Sequence, residues 1–482
     1  MTRQLELPEL RPWFFDFFAG GGGASEGTRR ATGRAPDVAI NHDAAAIEMH
    51  ARNHPETLHL RQDVWDVDPE RDLPRGPCWG AWFSPDCCHF SRARGGKPVS
   101  KRVRGLAWVA LRFAARRRPS VIFLENVQEF TTWGPLNRAG NPLRPKRGVT
   151  FARFLDQLRE LGYVVEHRVR DAADFGAPTH RRRLLLVARR DGLPIVWPEP
   201  THGPGRASPY RTAAECIDWS IPVPSIFDRK RPLAEATQRR IAAGIRRFVL
   251  ECPRPFLVRT VDGLVSPSLI QTSYGERKGQ APRVLNLHEP LGTIVAGGVK
   301  HSLVAAWLVK HNGKTTGQDA REPLHTIAGH INKGVVACHL TKFYGENGRA
   351  NAGQAVDTPL HTITTMPRFG LVATFLTKYY GTSVGSRLDA PAPTITTVDG
   401  RGGGHLGVVT VEIDGETYAI ADIGMRMLKP RELARCTGFG DDYELTGTQA
   451  EQVARVGNAV PPDLVEAHVR ANAPVFAVRG AA

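Results

Sequence analysis

Along the first two hundred positions, short apolar runs alternate with stretches whose apolar residues recur at helical spacing. Trp13 to Phe18 predicts a buried strand, and Ala24 to Thr32 a helix. Val38 to Asn41 and Ala44 to Asn53 repeat that strand–helix order. Gly80 to Phe83 predicts a strand leading into Ser84-Pro85, Leu106 to Arg117 a helix, and Val121 to Leu124 a strand. Phe151, Phe154, Leu155 and Leu158 fall at i, i+3, i+4 and i+7, which predicts a helix from Phe151 to Leu161. Tyr163 to Val165 and Leu184 to Ala188 predict two more strands. This alternation implies an α/β fold with a doubly wound, mostly parallel sheet. Sites in such sheets gather at the carboxyl ends of the strands.

The texture changes after Trp197-Pro198. Pro, Gly and β-branched residues become frequent, and an irregular repeat appears. Pro290-Leu291-Gly292-Thr293-Ile294 recurs as Pro323-Leu324-His325-Thr326-Ile327, as Pro359-Leu360-His361-Thr362-Ile363 and, more loosely, from Pro391 to Ile395. By subtraction these starts lie about 33, 36 and 32 residues apart, a period found in structural repeats. A second element, Leu340 to Gly345, matches Leu376 to Gly381, with looser copies at Ile270 to Gly275 and Leu308 to Gly313. Each unit reads as a β-rich module. Two readings stay open: a purely structural insert, or a nucleic-acid-facing surface whose basic and aromatic residues suit phosphate contacts and base stacking. After Ile423 the chain turns helical and charged again. The expected order is a body over 1–197, an insert over 198–420 and a closing segment over 421–482.

Charge sharpens this picture. The 482 residues carry 64 Lys plus Arg against 48 Asp plus Glu, a net +16, which points to a polyanionic partner. Arg92 to Arg118 contains no acidic residue. The seven cysteines are scattered and form no Cys-x-x-Cys pair, against a zinc site or a disulfide framework. No apolar run is long enough for a membrane span, and the N-terminus lacks a secretory pattern. The expectation is a cytoplasmic, nucleoid-associated protein without a resident metal, for which a monomer suffices.

Four segments carry candidate chemistry. Asp16-Phe17-Phe18-Ala19-Gly20-Gly21-Gly22-Gly23 runs from strand into glycines and then a helix, which allows close approach of a ligand to the backbone. No Gly-Lys-Ser/Thr follows, which disfavours a phosphate-binding P-loop. Ser84-Pro85-Asp86-Cys87-Cys88-His89-Phe90-Ser91 places thiols past a strand, before a basic loop that favours thiolate. A cysteine there is otherwise a small buried hydrophobe. Glu125-Asn126-Val127 ends a strand with a carboxylate able to hold a proton, or to form a structural ion pair. In Pro178-Thr179-His180-Arg181-Arg182-Arg183, strand alternation turns Arg181 and Arg183 to one face and Arg182 to the other.

In this order and spacing, these segments resemble the DNA cytosine-C5 methyltransferase family. The resemblance extends to Arg426-Met427-Leu428-Lys429-Pro430-Arg431-Glu432, Gly438-Phe439 and Gly457-Asn458-Ala459-Val460, and covers residues 11–190 and 420–470. Ser-Pro-Asp-Cys, Gly95-Gly96-Lys97-Pro98 and the repeat-bearing insert are similar to the phage and prophage branch.

The resemblance implies the class I S-adenosylmethionine-dependent methyltransferase fold, S-adenosyl-L-methionine as methyl donor and double-stranded DNA as substrate. It implies that Cys87 attacks C6 of a cytosine while Glu125 protonates or hydrogen-bonds N3. Arg181 and Arg183 are implied to hold the base carbonyl and a nearby phosphate and to support the thiolate. Such covalent catalysis divides one hard step into easier ones, on a base flipped from the duplex. Phe18, Gly20 and Gly22 are implied to line the cofactor pocket, Asp63 to bond the adenine amino group and Asn458 to bound the methionine end. Asn41 or Asp43 falls at the ribose.

This chain departs from the family pattern at several positions. Asp86 stands where proline usually precedes the nucleophile, and Cys88 where glutamine usually follows. Cys88 is the alternative nucleophile, but spacing to Phe90-Ser91 selects Cys87. Thr179 replaces a usual glutamine. A tRNA cytosine-C5 methyltransferase and a non-catalytic DNA-binding relative are the competing readings.

Overall fold

The computed structural model describes residues 11–86, 90, 101–138, 140–227, 229–231, 233–260, 263–272, 279–296, 298–310 and 416–474. It also describes strand backbone at 339–342, 354–355, 369–372, 377–378, 406–407 and 410–413. Two compact units emerge. The first comprises residues 1–217, 287–300 and 428–482, and the second residues 218–286 and 301–427. The sequence drew the insert as one stretch over 198–420, whereas 287–300, including the first repeat copy Pro290 to Ile294, packs within the first unit.

The first unit is built on a seven-stranded sheet. In chain order its elements begin with β1 (Trp13–Phe17), α1 (Gly23–Thr32), β2 (Val38–Asn41), α2 (Ala44–Asn53), β3 (Leu58–Arg61) and β4 (Cys78–Phe83). They continue with α3 (Lys101–Arg104), α4 (Trp108–Arg117), β5 (Val121–Asn126), α5 (Val149–Glu160), β6 (Val164–Asp171) and β7 (Arg182–Arg189). Strand order across the sheet is β3-β2-β1-β4-β5-β7-β6. All pairs from β3 to β5 are parallel, and β7 runs antiparallel to both its neighbours. The chain works outward from β1 to β3 and returns at β4 on the other side of β1. The crevice at the carboxyl ends of β1 and β4 is therefore the topological switch point, where ligands bind in open α/β sheets.

Alternation along the buried strands sorts their side chains into two cores. Phe15 and Phe17 of β1 join Phe83, Phe113, Leu124 and Phe154 on the face covered by α4 and α5. Phe14 joins Trp79, Trp82, Phe123, Leu464 and Val465 on the opposite face. Asp16 shares the side of Phe14, and its carboxylate meets Ser25 of α1. The closing helices of this unit are α7 (Pro430–Thr437), α8 (Gln449–Asn458) and α9 (Pro462–Asn472).

The second unit opens with α6 (Glu235–Ile245), then β8 (Val258–Thr260), β9 (Gly263–Gln271), β10 (Val284–Leu285) and β11 (His301–Lys310). Short strands β12 (His339–Lys342), β13 (Gln354–Ala355), β14 (Phe369–Val372), β15 (Thr377–Lys378) and β16 (Leu406–Gly407) follow, then β17 (Thr410–Ile413) and β18 (Glu416–Met427). Its main sheet, β10-β9-β11-β18-β17, is antiparallel, and Ile270, Val304, Ala306, Ile420 and Met425 pack on Ile241 and Ile245 of α6. Parts of the second repeat element fall on β9, β11, β12 and β15. Repeat copies at 323–327, 359–363 and 391–395 lie outside the described residues.

Candidate functional site

The switch-point crevice begins where β1 turns into glycines. Phe18 has φ +65°, in the left-handed region that a bulky side chain rarely enters, and it stands half-buried at this turn. Gly22, at φ +83°, starts α1, and no side chain caps the first turn. A Cβ at Gly22 would lie 2.0 Å from the Tyr443 hydroxyl, so only glycine fits. That hydroxyl donates to the Gly21 carbonyl at 2.8 Å and fixes the loop from below. Gly20, at φ +49°, completes the bend.

Beneath this loop lies a buried polar chain. Ser25 Oγ sits 2.7 Å from Asp16 Oδ2 and 2.8 Å from His50 Nε2. His50 Nδ1 sits 2.8 Å from His59 Nε2. Burial pushes the Asp16 carboxyl up to about 7, against the opposing effect of the Ser25 hydrogen bond. Burial likewise pushes His50 well below the usual imidazole range.

The neighbouring strand ends carry the next candidates. Asn41 ends β2, and its Oδ1 accepts from the Asp43 backbone N–H at 2.9 Å. Asp43 is the N-cap of α2 and accepts from Ala46 N–H at 2.8 Å. Asp63 follows β3, and its Oδ1 accepts from Trp65 N–H at 3.0 Å. Asn458 is exposed at the last position of α8.

At the far side of the crevice, Glu125 and Asn126 finish β5. Arg183 Nε lies 2.8 Å from Glu125 Oε1, with both side chains only 10% exposed. Asn126 Nδ2 donates to the Pro85 carbonyl at 2.9 Å. This bond ties the segment after β4 to the end of β5. Cys87 follows Pro85-Asp86 directly in the chain, and Cys87, Cys88 and His89 lie outside the described residues. Phe90 is packed against Phe130 with the Arg104 guanidinium 4.4 Å over its ring.

Alternation does bury Arg181 and Arg183 and expose Arg182. The two buried guanidiniums nevertheless serve different partners. Arg183 faces Glu125, whereas Arg181 donates to the Ile294 carbonyl at 2.8 Å and the Gly457 carbonyl at 2.9 Å. Thr179, the departure from the usual glutamine, donates its hydroxyl to the Leu291 carbonyl at 3.0 Å. Arg181 and Thr179 thus hold the 287–300 segment against the first unit.

Sequence reasoning missed Ser25, His50, His59 and Tyr443, and it quoted Asp16 without giving it a role. They come from α1, α2, β3 and the stretch before α8, and no motif in the sequence marks them as a group. Among the described residues, no cluster of three or more His, Cys, Asp or Glu could hold a metal ion. No described helix is long and apolar enough to cross a membrane.

Comparison with known proteins agrees with this arrangement. Type II methyltransferase M.AgeI of Thalassovita gelatinovora is 29% identical over 199 residues, 40% of this chain and 43% of that protein. Type II methyltransferase M1.HphI of Haemophilus parahaemolyticus is 28% identical over 209 residues, 42% of this chain and 51% of that protein. This chain therefore spans about half the length of each of these relatives. The profile of the C-5 cytosine-specific DNA methylase family matches residues 13–218 and 355–472, more than half of the chain. With its sheet order, its glycine loop and its Glu125–Arg183 pair in place, this chain belongs to the C-5 cytosine-specific DNA methylase family.

Proposed function

We propose that the protein transfers a methyl group from S-adenosyl-L-methionine to C5 of a cytosine flipped out of double-stranded DNA. The observation that carries this reading is the Glu125–Arg183 pair, 2.8 Å apart at the end of β5, beside the segment that leads into Cys87. In this mechanism the Cys87 sulfur forms a bond to C6 of the ring. Glu125 protonates or hydrogen-bonds N3, which makes C5 nucleophilic, and Arg183 holds Glu125 in place. Bound S-adenosylmethionine supplies an electrophilic methyl group at its sulfonium. A base then takes the C5 proton, and the C6–sulfur bond breaks to free Cys87.

The crevice fits such a cofactor. The uncapped first turn of α1 favours a carboxylate. The buried Asp16 has one oxygen, Oδ1, without a hydrogen-bond partner among the described residues, and it favours positive charge nearby. Phe18, Gly20, Gly22, Asp63 and Asn458 would hold the cofactor. Asn41 or Asp43, each accepting one nearby backbone N–H, takes the ribose in this reading. A net charge of +16 suits a nucleic-acid substrate.

The test is covalent trapping on a duplex containing 5-fluorocytosine in the presence of S-adenosylmethionine. The expected product is a protein–DNA adduct that Cys87→Ser abolishes. An adduct that survives Cys87→Ser would overturn the assignment of the nucleophile. Methyl transfer to tRNA but not to duplex DNA would overturn the substrate.

A further inference from the structure

Three hydrogen bonds link the underside of the glycine loop to the edge of the sheet. They run Asp16–Ser25–His50–His59, at 2.7, 2.8 and 2.8 Å. Asp16 and His50 are fully enclosed, and His59 on the edge strand β3 is half-buried. Each middle member is both donor and acceptor. With Asp16 ionised, the donors point one way: His59 Nε2–H to His50 Nδ1, His50 Nε2–H to Ser25 Oγ, and Ser25 O–H to Asp16 Oδ2. With Asp16 protonated, the same contacts accommodate the reverse direction, and His50 changes tautomer. The chain therefore has two internally consistent states that differ by one proton.

The surroundings leave that proton free to move. Glu26 and Arg29 on α1 face this region, as do His54 at the end of α2, Glu56 before β3, and Tyr443. Glu26 is bound by Arg29 and Arg30, so its charge is already matched. His54 has neither ring nitrogen bonded among the described residues and is pushed down to about 4 by burial, so it stays neutral near pH 7. Burial likewise raises the Tyr443 hydroxyl well above its ordinary range and keeps it neutral.

We propose that Asp16, Ser25, His50 and His59 form a reversible proton chain beneath the glycine loop, through which binding of S-adenosylmethionine expels one proton. The idea rests on the cofactor reading above, because the positive sulfonium and ammonium of that ligand favour an ionised carboxylate under the loop. Asp16 passes its proton to Ser25 Oγ as Ser25 passes its own to His50 Nε2. His50 then passes the Nδ1 proton to His59 Nε2, and His59 releases one proton to solvent. No bond other than these N–H and O–H bonds changes.

The experiment is calorimetric titration of the whole protein with S-adenosyl-L-methionine in two buffers of different ionisation enthalpy. With Asp16 at about 7 before binding, release should fall from about nine-tenths of a proton at pH 6 to about one-tenth at pH 8. Subtracting the Asp16→Asn titration removes the cofactor's own amine from the count. Ser25→Ala cuts the chain between Asp16 and His50, so in that variant binding should no longer change the His50 tautomer. Should Asp16→Asn fail to fold, Ser25→Ala decides, and a His50 tautomer change that persists in it overturns the proposal. On selectively 15N-labelled histidines, His50 should change tautomer on binding. Tight binding with buffer-independent heats, or equal release in Asp16→Asn, also overturns it. A folded protein that binds no S-adenosylmethionine instead overturns the cofactor reading itself.

Discussion

At the scale of single residues, the two arginines of the strand entering the site do different work. Arg183 completes a nearly buried ion pair with Glu125. Glu125→Gln keeps the shape and an acceptor oxygen, so it should lower kcat by ~10²–10⁴-fold, the usual worth of a positioned proton donor, while cofactor affinity stays near wild type. Steady-state kinetics with a separate cofactor titration checks this. Arg181 instead bonds two backbone carbonyls from distant parts of the chain. Arg181→Ala should therefore destabilise the protein by about 2–4 kcal/mol in urea denaturation, since hydrogen bonds from a charged donor are lost in a buried place. Unchanged stability with methylation lost would assign Arg181 to the substrate instead. Sequence alternation correctly pairs the two arginines on the buried face. It could not separate their partners, because Ile294 and Gly457 are more than a hundred positions away from Arg181.

At the scale of elements, the legible parts were the buried ones. β1, β2, β4 and β5 are mostly apolar runs, so their positions follow largely from hydrophobicity. The two edge strands were hidden. β3, Leu-His-Leu-Arg, was not predicted at all, and β6 runs from Val164 to Asp171 where only its start was expected. Both are largely exposed and polar or charged, which protects a sheet edge from pairing with another chain but erases the apolar signal. Helix packing offers a further test. On α1, a Cβ at Gly27 would lie 2.5 Å from both the Pro462 carbonyl oxygen and Val465 Cβ of α9. Gly27→Ala should overpack this contact and cost about 1–3 kcal/mol, outweighing the gain in helix propensity. Thermal denaturation measures it, and an increase in Tm would show that α9 can move aside.

At the scale of the whole molecule, the deeply buried titratable groups of the first unit set its response to pH. Asp16 and Asp463, pushed up by burial to about 7 and about 6, bind protons more tightly when folded. Their contribution to stability is lost as pH rises from about 4 to about 7. His54 and His468 are pushed down to about 4, and His50 is lowered as well, so all three bind protons more weakly when folded. Their contribution is lost as pH falls from about 6.5 to about 4. Up to about pH 7 the three histidines outweigh the two carboxyls, and above it the opposing effects nearly cancel. The unfolding temperature of this unit should rise from about pH 5 to about pH 7 and level off toward pH 8, and a maximum near pH 5 or pH 6 would contradict that balance.

The return of residues 287–300 to the first unit has a consequence for modularity. The chain passes between its two units four times, at 217/218, 286/287, 300/301 and 427/428. Exchange of the second unit with that of a relative therefore requires two separate grafts rather than one cassette. A single graft over 218–427 would carry away Leu291 and Ile294 and strip Thr179 of its carbonyl partner and Arg181 of one of its two. Recombination that diversifies this protein should leave that short segment in place, inherited with the body rather than with the part around it.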